Sequence, residues 1–428
     1  MRFVQAAVYS AVILPLLAGN QAFAGGFMVR ENSAESLGMV YAGDASRADE
    51  AATVFDNPAG MMHLAGPEVE LGAAVVFPSI HFVDGAAKAA GTIPISGDLG
   101  GQAGQIAGIP HFYAVFDISD NLRAGLAVTA PFGNETNYGP GFVGRYQGIK
   151  TLALSADINP NIAWRINNMV SIGGGISAQW LKVEQSAAIP QFLILQNPVP
   201  DASFLFNAHG WGVGYNAGLL LEPNTTTRLG FTYRSGIDHK LSGSLDFTGV
   251  APVLPLMSGP ATGSGLNLPG TAAVSFTHDW SASWSGSAEL QYNMWSSFKN
   301  VVVTSANPDL SEAEHYRDSW MITAGATYHA TQQLALRAGF GWDQTPVLNG
   351  FRTVGIPDAN RLMIGAGAGY TVAPGIVVDL GYAHYWGASN PPIDGSVNAL
   401  DPFTHAIALT GTYHNFLDYV ALSVRYAL

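Results

Sequence analysis

The chain has 428 residues, of which 11% are charged and 11% aromatic, with 50 glycines and a formal charge of −13. Ordinary soluble domains carry roughly 25% charged residues, so this composition cannot solvate two or three soluble domains. The acidic balance, with no basic stripe, excludes nucleic-acid binding, and the absence of cysteine excludes disulfides and thiolate chemistry.

Mean hydropathy is only slightly positive, and past the N-terminus no apolar run reaches the length of a spanning helix. A transmembrane β-barrel reconciles low charge with modest hydropathy, because its strands alternate between lipid and lumen. Met1–Ala24 reads as a secretory signal: Arg2, an apolar run from Val4 to Ala18, then Ala22-Phe23-Ala24. A membrane anchor is the alternative. Cleavage after Ala24 removes one cation and leaves the mature chain one unit more negative.

Residues 25–66 form a block rich in small residues, with Ser33–Gly38 as a short helical turn. Phe27, Val29, Leu37, Met39, Val40, Val54 and Phe55 give it an apolar side without strand periodicity. About forty residues with no disulfide are marginal alone, so a hatch packed inside a host is expected. Within it, Asn57-Pro58-Ala59 is a turn former.

From Glu68 the pattern becomes period-2: Val69, Leu71, Ala73, Val75 and Phe77 alternate with small or polar residues. Similar runs cover 109–117, 121–131, 151–166, 169–185, 209–222, 226–241 and 269–279. They continue at 281–298, 318–330, 332–344, 359–372, 375–388 and 417–428. Short turns such as Asn167-Asn168 and Ala373-Pro374-Gly375 join alternate pairs, and long loops join the rest. Residues 403–413 alternate weakly. An even strand count, with both ends on the periplasmic side, assigns them to the last loop, 389–416. The fold class is therefore an all-β transmembrane barrel of 14 antiparallel strands over 67–428, with an N-terminal hatch inside.

Val420, Leu422, Val424, Tyr426 and Leu428 alternate to the chain end, as a closing strand recognised by the barrel-assembly machinery should. The terminal Leu428 departs from the usual Phe. Trp164, Trp180, Trp284, Trp295, Trp320, Trp342 and Trp386 sit in or near strands, where aromatic girdles form.

Ordered motifs along the mature chain carry a resemblance. Gly26-Phe27, Tyr41-Ala42-Gly43, Asn57-Pro58-Ala59 and Asn159-Pro160 come first, then Gly212-Val213-Gly214-Tyr215-Asn216-Ala217-Gly218 and Thr232-Tyr233-Arg234-Ser235. Trp295-Ser296, Tyr316-Arg317-Asp318 and the run from Asp343 to Arg361 follow. In this order they resemble the FadL-type outer-membrane channels for long-chain fatty acids and other hydrophobic compounds. The resemblance implies a bacterial outer-membrane location and passive uptake. Ligands are captured at extracellular loops, held in a pocket near the mature N-terminus, and released sideways at a kinked third strand. Pro131-Phe132-Gly133 ends the alternation of that strand: Pro131 cannot donate to a ladder and Gly133 weakens it. Taken alone, Pro131 equally opens an ordinary loop. The Asn57 amide is expected to bond unpaired backbone at this kink, joining hatch and lateral gate.

Phe27, Val29, Leu37, Met39 and Phe55 are pocket candidates, with hatch core packing as the plainer role. Loops 186–208 and 242–268 are apolar for exposed loops. Phe192 and Leu193 in the first and Leu254 in the second are candidates for a capture groove, or for packing that seals the mouth. Fatty-acid-specific relatives place basic residues near the ends of strands 169–185 and 318–330. Here those positions fall on Gln185 and Glu312, with Lys182 and Arg317 nearby. An unpaired buried carboxylate is costly, so weight moves toward neutral alkanes, aromatics or terpenes. No cofactor or metal is expected, and the partners are apolar small molecules and outer-membrane lipid, with a monomer as the unit. A water-filled porin and an outer-membrane hydrolase are the alternatives. Neighbouring pairs such as Asp238-His239 point to opposite strand faces, and no nucleophile elbow, HExxH helix or phosphate loop is present.

Overall fold

The structure is a computed structural model that describes residues 25–394 and 407–428; the expected signal at Met1–Ala24 lies outside the described residues. Fourteen antiparallel staves form one closed wall. They are β1 (Glu68–Ala89), β2 (Ala107–Ser119), β3 (Leu122–Thr129 and Gly133–Asn137), β4 (Lys150–Asn167) and β5 (Val170–Ile189). Next come β6 (Ala202–Asn224), β7 (Thr227–Arg234 and Ile237–Thr248), β8 (Gly259–Leu268 and Thr271–Asp279), β9 (Trp284–Asn293) and β10 (Ser319–His329). The wall ends with β11 (Leu334–Asp343), β12 (Arg361–Ala373), β13 (Ile376–Gly387) and β14 (Ile407–Ala427). Each stave pairs with the next, and β14 closes on β1 from Glu68↔Ala427 to Ala89↔Ile407.

The side-chain period of two decides what faces where. On β14, Val420, Leu422, Val424 and Tyr426 are 42–52% exposed, while Tyr419, Ala421, Ser423 and Arg425 are buried. Apolar residues thus face outward and polar ones inward, the reverse of a soluble core. Trp164, Trp284 and Trp320 lie on the exposed face, but Trp295 does not. It starts a short 3-10 turn, Trp295–Ser297, and is fully buried inside, so its expected girdle position is corrected.

Two loop assignments also change. Residues 407–413 belong to β14, paired with the far end of β1, and 403–406 lie outside the described residues. Parity survives because β14 is one long strand rather than two. Most of 242–268 is ladder between β7 and β8, and only the 249–258 tip is loop.

Residues 25–66 lie within the wall. Helix α1 (Ala34–Gly38) is capped by Ser33, whose Oγ accepts from Ser36 N at 2.9 Å. It beds against glycines of β12 and β13, where a Cβ on Gly381 would collide with Ala34 O. Helix α2 (Thr53–Asp56) leads into a 3-10 turn, Pro58–Met62. A buried ion network ties α1 to the wall: Arg337 bridges Glu35 at 2.5 Å and Asp379 at 2.8 Å, and Arg425 bridges the same two at 3.2 and 2.9 Å. Such a network is costly to open by removing one member, about 3–5 kcal/mol.

Candidate functional site: a break in the wall at Pro131

On one side of the wall the pairing fails. β2 and β3 pair from Ser119↔Leu122 up to Phe112↔Val128. Above that level Ala107–His111 remain paired to β1 but have no β3 partner among the described residues. The ladder resumes higher only as an isolated bridge, Gly104↔Thr136, with Asn137 N donating to Ala103 O at 2.9 Å. On its other side β3 keeps contact with β4, pairing Thr129↔Asp157 and then Gly133↔Leu154. Four steps on β3 face three on β4, so β3 carries one extra residue, the mark of a bulge. Pro131, without an N–H, is what the broken ladder tolerates. Ser155 holds the bulge, its Oγ accepting from Phe132 N and donating to Phe132 O, both at 2.8 Å.

The unpaired edge is met from inside by residues Phe27–Val29. Val29 N donates to Pro131 O and Gly133 N to Phe27 O, each at 2.9 Å, around the antiparallel bridge Met28↔Phe132. Phe27 anchors this short strand in a buried aromatic cluster. Its ring lies 6.0 Å from Phe132, 5.0 Å from Trp295 and 5.5 Å from Phe298. Gly26 N donates to Asp358 Oδ2 at 2.8 Å. Beside the strand lies a small cavity of about 90 Å³ lined by Met28, Val29, Phe55, Pro131 and Phe132, and also by Arg30, Asp56, Arg234 and Glu289. Arg234 stacks 3.8 Å over the Phe55 ring and donates to Phe55 O at 2.9 Å.

The structure brings Phe27, Val29 and Phe55 to this break and places Leu37 and Met39 elsewhere. Leu37 lies over Gly365, and Met39 over Gly325 and Gly339. Both are essentially fully buried and neither lines the cavity, so their pocket assignment is corrected. Asn57 is corrected too. Its Nδ2 donates to Ala45 O at 2.6 Å and Leu219 O at 3.2 Å, and its Oδ1 accepts from Ala59 N at 3.1 Å. Asn57-Pro58-Ala59 therefore seats on β5 and β6, not on the Pro131 kink. It fits because those staves are bare there. A Cβ on Gly218 would collide with Asn57 Oδ1, and one on Gly173 would stand 2.6 Å from Ala59 N.

Phe192 and Leu193 lie on a short helix, α3 (Gln191–Leu195), half-buried against the core beneath the long loops, in company with Val250 and Leu256. Leu254 is half-buried at the 249–258 tip. Gln185 and Glu312 meet: Gln185 Nε2 donates to Glu312 Oε2 at 3.0 Å. The two nearby cations are engaged elsewhere, Lys182 with Glu184 at 3.7 Å and Arg317 with Thr345 O at 3.3 Å. Sequence reasoning missed Ser155 and Phe298, and also the buried roles of Trp295 and Tyr316. Trp295 fell inside the expected strand 281–298, whereas the strand ends at Asn293 and a 3-10 turn follows; the motifs Trp295-Ser296 and Tyr316-Arg317-Asp318 marked both residues without showing their burial.

With the geometry in place, kinship can be weighed. The profile of the family described as "Outer membrane protein transport protein (OMPP1/FadL/TodX)" matches residues 15–428. The chain belongs to that family. This FadL-type protein is an outer-membrane transporter, not an enzyme. It is 30% identical over 409 residues to the long-chain fatty acid transport protein of Escherichia coli O157:H7, covering 87% of this chain and 90% of that one. The 47 kDa outer membrane protein of Pasteurella multocida (strain Pm70) is also 30% identical, over 91% of this chain and 93% of its own. A Pseudomonas aeruginosa FadL homologue superposes with a TM-score of 0.87 at 24% identity, over 94% of this chain and 99% of that one. The Ralstonia pickettii toluene transporter TbuX does so with 0.67 at 20%, over 92% and 98%. At those identities the two structures speak to fold alone.

Proposed function

We propose that the protein passes hydrophobic molecules, long-chain fatty acids or neutral hydrocarbons, across the outer membrane without an energy source, and releases them sideways through the wall. The observation that carries this is the missing ladder between β2 and β3 at Pro131, met from within, among the described residues, by Phe27–Val29. Residues 25–66 act as the hatch of a barrel spanning 67–428. The apolar residues of α3 and the 249–258 tip capture the ligand. Sideways release has a physical advantage: a ligand that goes from lumen to lipid never re-exposes its chain to water, which costs about 0.8 kcal/mol per methylene. A relative named for long-chain fatty acid transport, 30% identical over most of both chains, supports the ligand class. Closure of one chain on itself supports a monomer, and the alternation of β14 to its end supports insertion by the barrel-assembly machinery.

The test replaces Pro131 by Thr and Gly133 by Val together, so that β3 is able to ladder through. Uptake of labelled oleate and of a labelled alkane by cells should fall at least tenfold, while heat-modifiable gel mobility reports an intact barrel. Normal uptake through an intact barrel removes the lateral exit from the mechanism. Steady ion conductance of the unaltered protein in planar bilayers would favour a porin instead.

A further inference from the structure

A second proline borders the break. Pro110 sits on β2, inside the stretch Ala107–His111 that is paired to β1 and lacks a β3 partner among the described residues. Ala73 and Pro110 are direct partners across β1 and β2. In an antiparallel ladder, close pairs that exchange two N–H···O bonds alternate with pairs that exchange none. Proline has no N–H, so Ala73↔Pro110 is of the second kind, and Ile109 and His111 make the bonds to β1. Residue 110 therefore turns its own backbone groups the other way, toward β3.

The register fixes what faces it there. Phe112↔Val128 is the last pair of β2 with β3, and two residues beyond it position 110 falls opposite Ala130. By the same alternation 110↔130 would be a hydrogen-bonded pair, which needs the N–H that proline lacks. Pro160 on β4 shows how far one such proline reaches. It keeps its pair with Leu126 on β3, while on the β5 side the ladder skips Asn159 and Pro160 between Ile158↔Ala178 and Asn161↔Gly175. One missing donor thus costs two pairs, and the ladder then resumes. Beyond Pro110 it does not resume within Ala107–His111, because β3 bulges at Pro131 over the same rows.

We infer that Pro110 is the second lip of the lateral exit: it blunts the β2 edge where Pro131 bends the β3 edge, so that the two strands do not zip together beside Phe27–Val29. The inference rests on the transport reading above and deepens it. Facing strand edges that both offer donors and acceptors are templates for pairing, and proline is one way to blunt them. With no donor at 110, closure gains no hydrogen bond there, and a ligand leaving for the lipid has no ladder to break. Pro110 acts through the edge it keeps unpaired and is a positioning residue.

The experiment measures uptake of labelled oleate by cells carrying Pro110→Val, and hydrogen exchange of the 107–113 peptide in the purified protein, with Pro160→Val as the control. Heat-modifiable gel mobility reports an intact barrel. Pro110→Ala restores the same N–H with a smaller side chain and takes over if the valine variant does not assemble. Pro110→Val should lower uptake about fivefold, the weight of one hydrogen bond, and its new amide should exchange about tenfold slower than an open one. Pro160→Val also gains an amide, but that amide faces β5, so uptake should stay as it was. Added to Pro131→Thr with Gly133→Val, Pro110→Val should lower uptake about threefold further. Full uptake through an intact Pro110→Val barrel, a fast-exchanging amide at 110, or an equal loss from Pro160→Val overturns the inference. Lateral release stands in those cases as long as the Pro131 and Gly133 changes still lower uptake; normal uptake in every variant brings down both.

Discussion

Asn57→Ala tests how the hatch is held. Asn57 is fully buried and its amide joins three backbone groups: Ala45 O, Leu219 O and Ala59 N. Alanine keeps the Cβ and removes all three contacts. Leu219 retains its place in the β6–β7 ladder, so Ala45 O and Ala59 N bear most of the loss. Each buried group left unpaired costs about 1–3 kcal/mol, so the turn should lose roughly 3 kcal/mol. At 1.4 kcal/mol per decade, that is a factor of roughly 10² in the local opening equilibrium. Amide hydrogen exchange read by mass spectrometry reports that equilibrium directly. Protection of the 57–62 peptide should fall about a hundredfold, while Val29 and Gly133, bonded at the separate Pro131 site, keep theirs. Unchanged protection at 57–62 would refute the hydrogen-bond account. Simultaneous loss at Val29 and Gly133 would refute the independence of the two anchorages.

Phe27→Ala empties the centre of a cluster of three rings, and core Phe→Ala changes cost about 3–5 kcal/mol. The N-terminal strand should release from Pro131, seen as a rise in planar-bilayer conductance; an unaltered trace would show that Phe27 does not hold the seal. For pH, Glu312 is raised from 4.5 to about 7 by burial, against a smaller opposing effect of Gln185. A raised carboxyl favours the folded state fully below pH 4.5 and loses that contribution as pH rises through about 7. Thermal stability of the loop end should therefore decline across that window, and Glu312→Gln should flatten the decline; an equal slope in the variant would place the titration elsewhere.

The barrel was legible because its cause is local. Period-2 alternation on strands such as Val420–Leu428, few charges and alternating short and long connections each follow from one wall with lipid on one side. The strand count followed once an even number was required, even though 407–413 changed from loop to strand, its Ile407, Leu409 and Tyr413 packed in the core. Pro131-Phe132-Gly133 was legible as the end of a strand's alternation because proline lacks an N–H, although alone it fitted an ordinary loop equally well and only the family resemblance favoured a break in the wall.

What meets that break was not. Asn57 and Phe27 both lie in the 25–66 segment, and nothing local distinguishes which of them reaches β3; the bare glycines at 173 and 218 on distant staves decide it. Leu37 and Met39 are apolar, as pocket residues are, but in a segment surrounded by wall every direction is buried, so hydrophobicity carries no bearing. Gln185 and Glu312 were each visible as departures from a basic position, yet their hydrogen bond joins residues 127 apart in sequence. The sequence by itself thus determined the wall and its polarity, since those depend on neighbours one or two residues away. Which side chains close the failure only the tertiary structure decided, because that depends on how staves far apart in the chain converge on one interior.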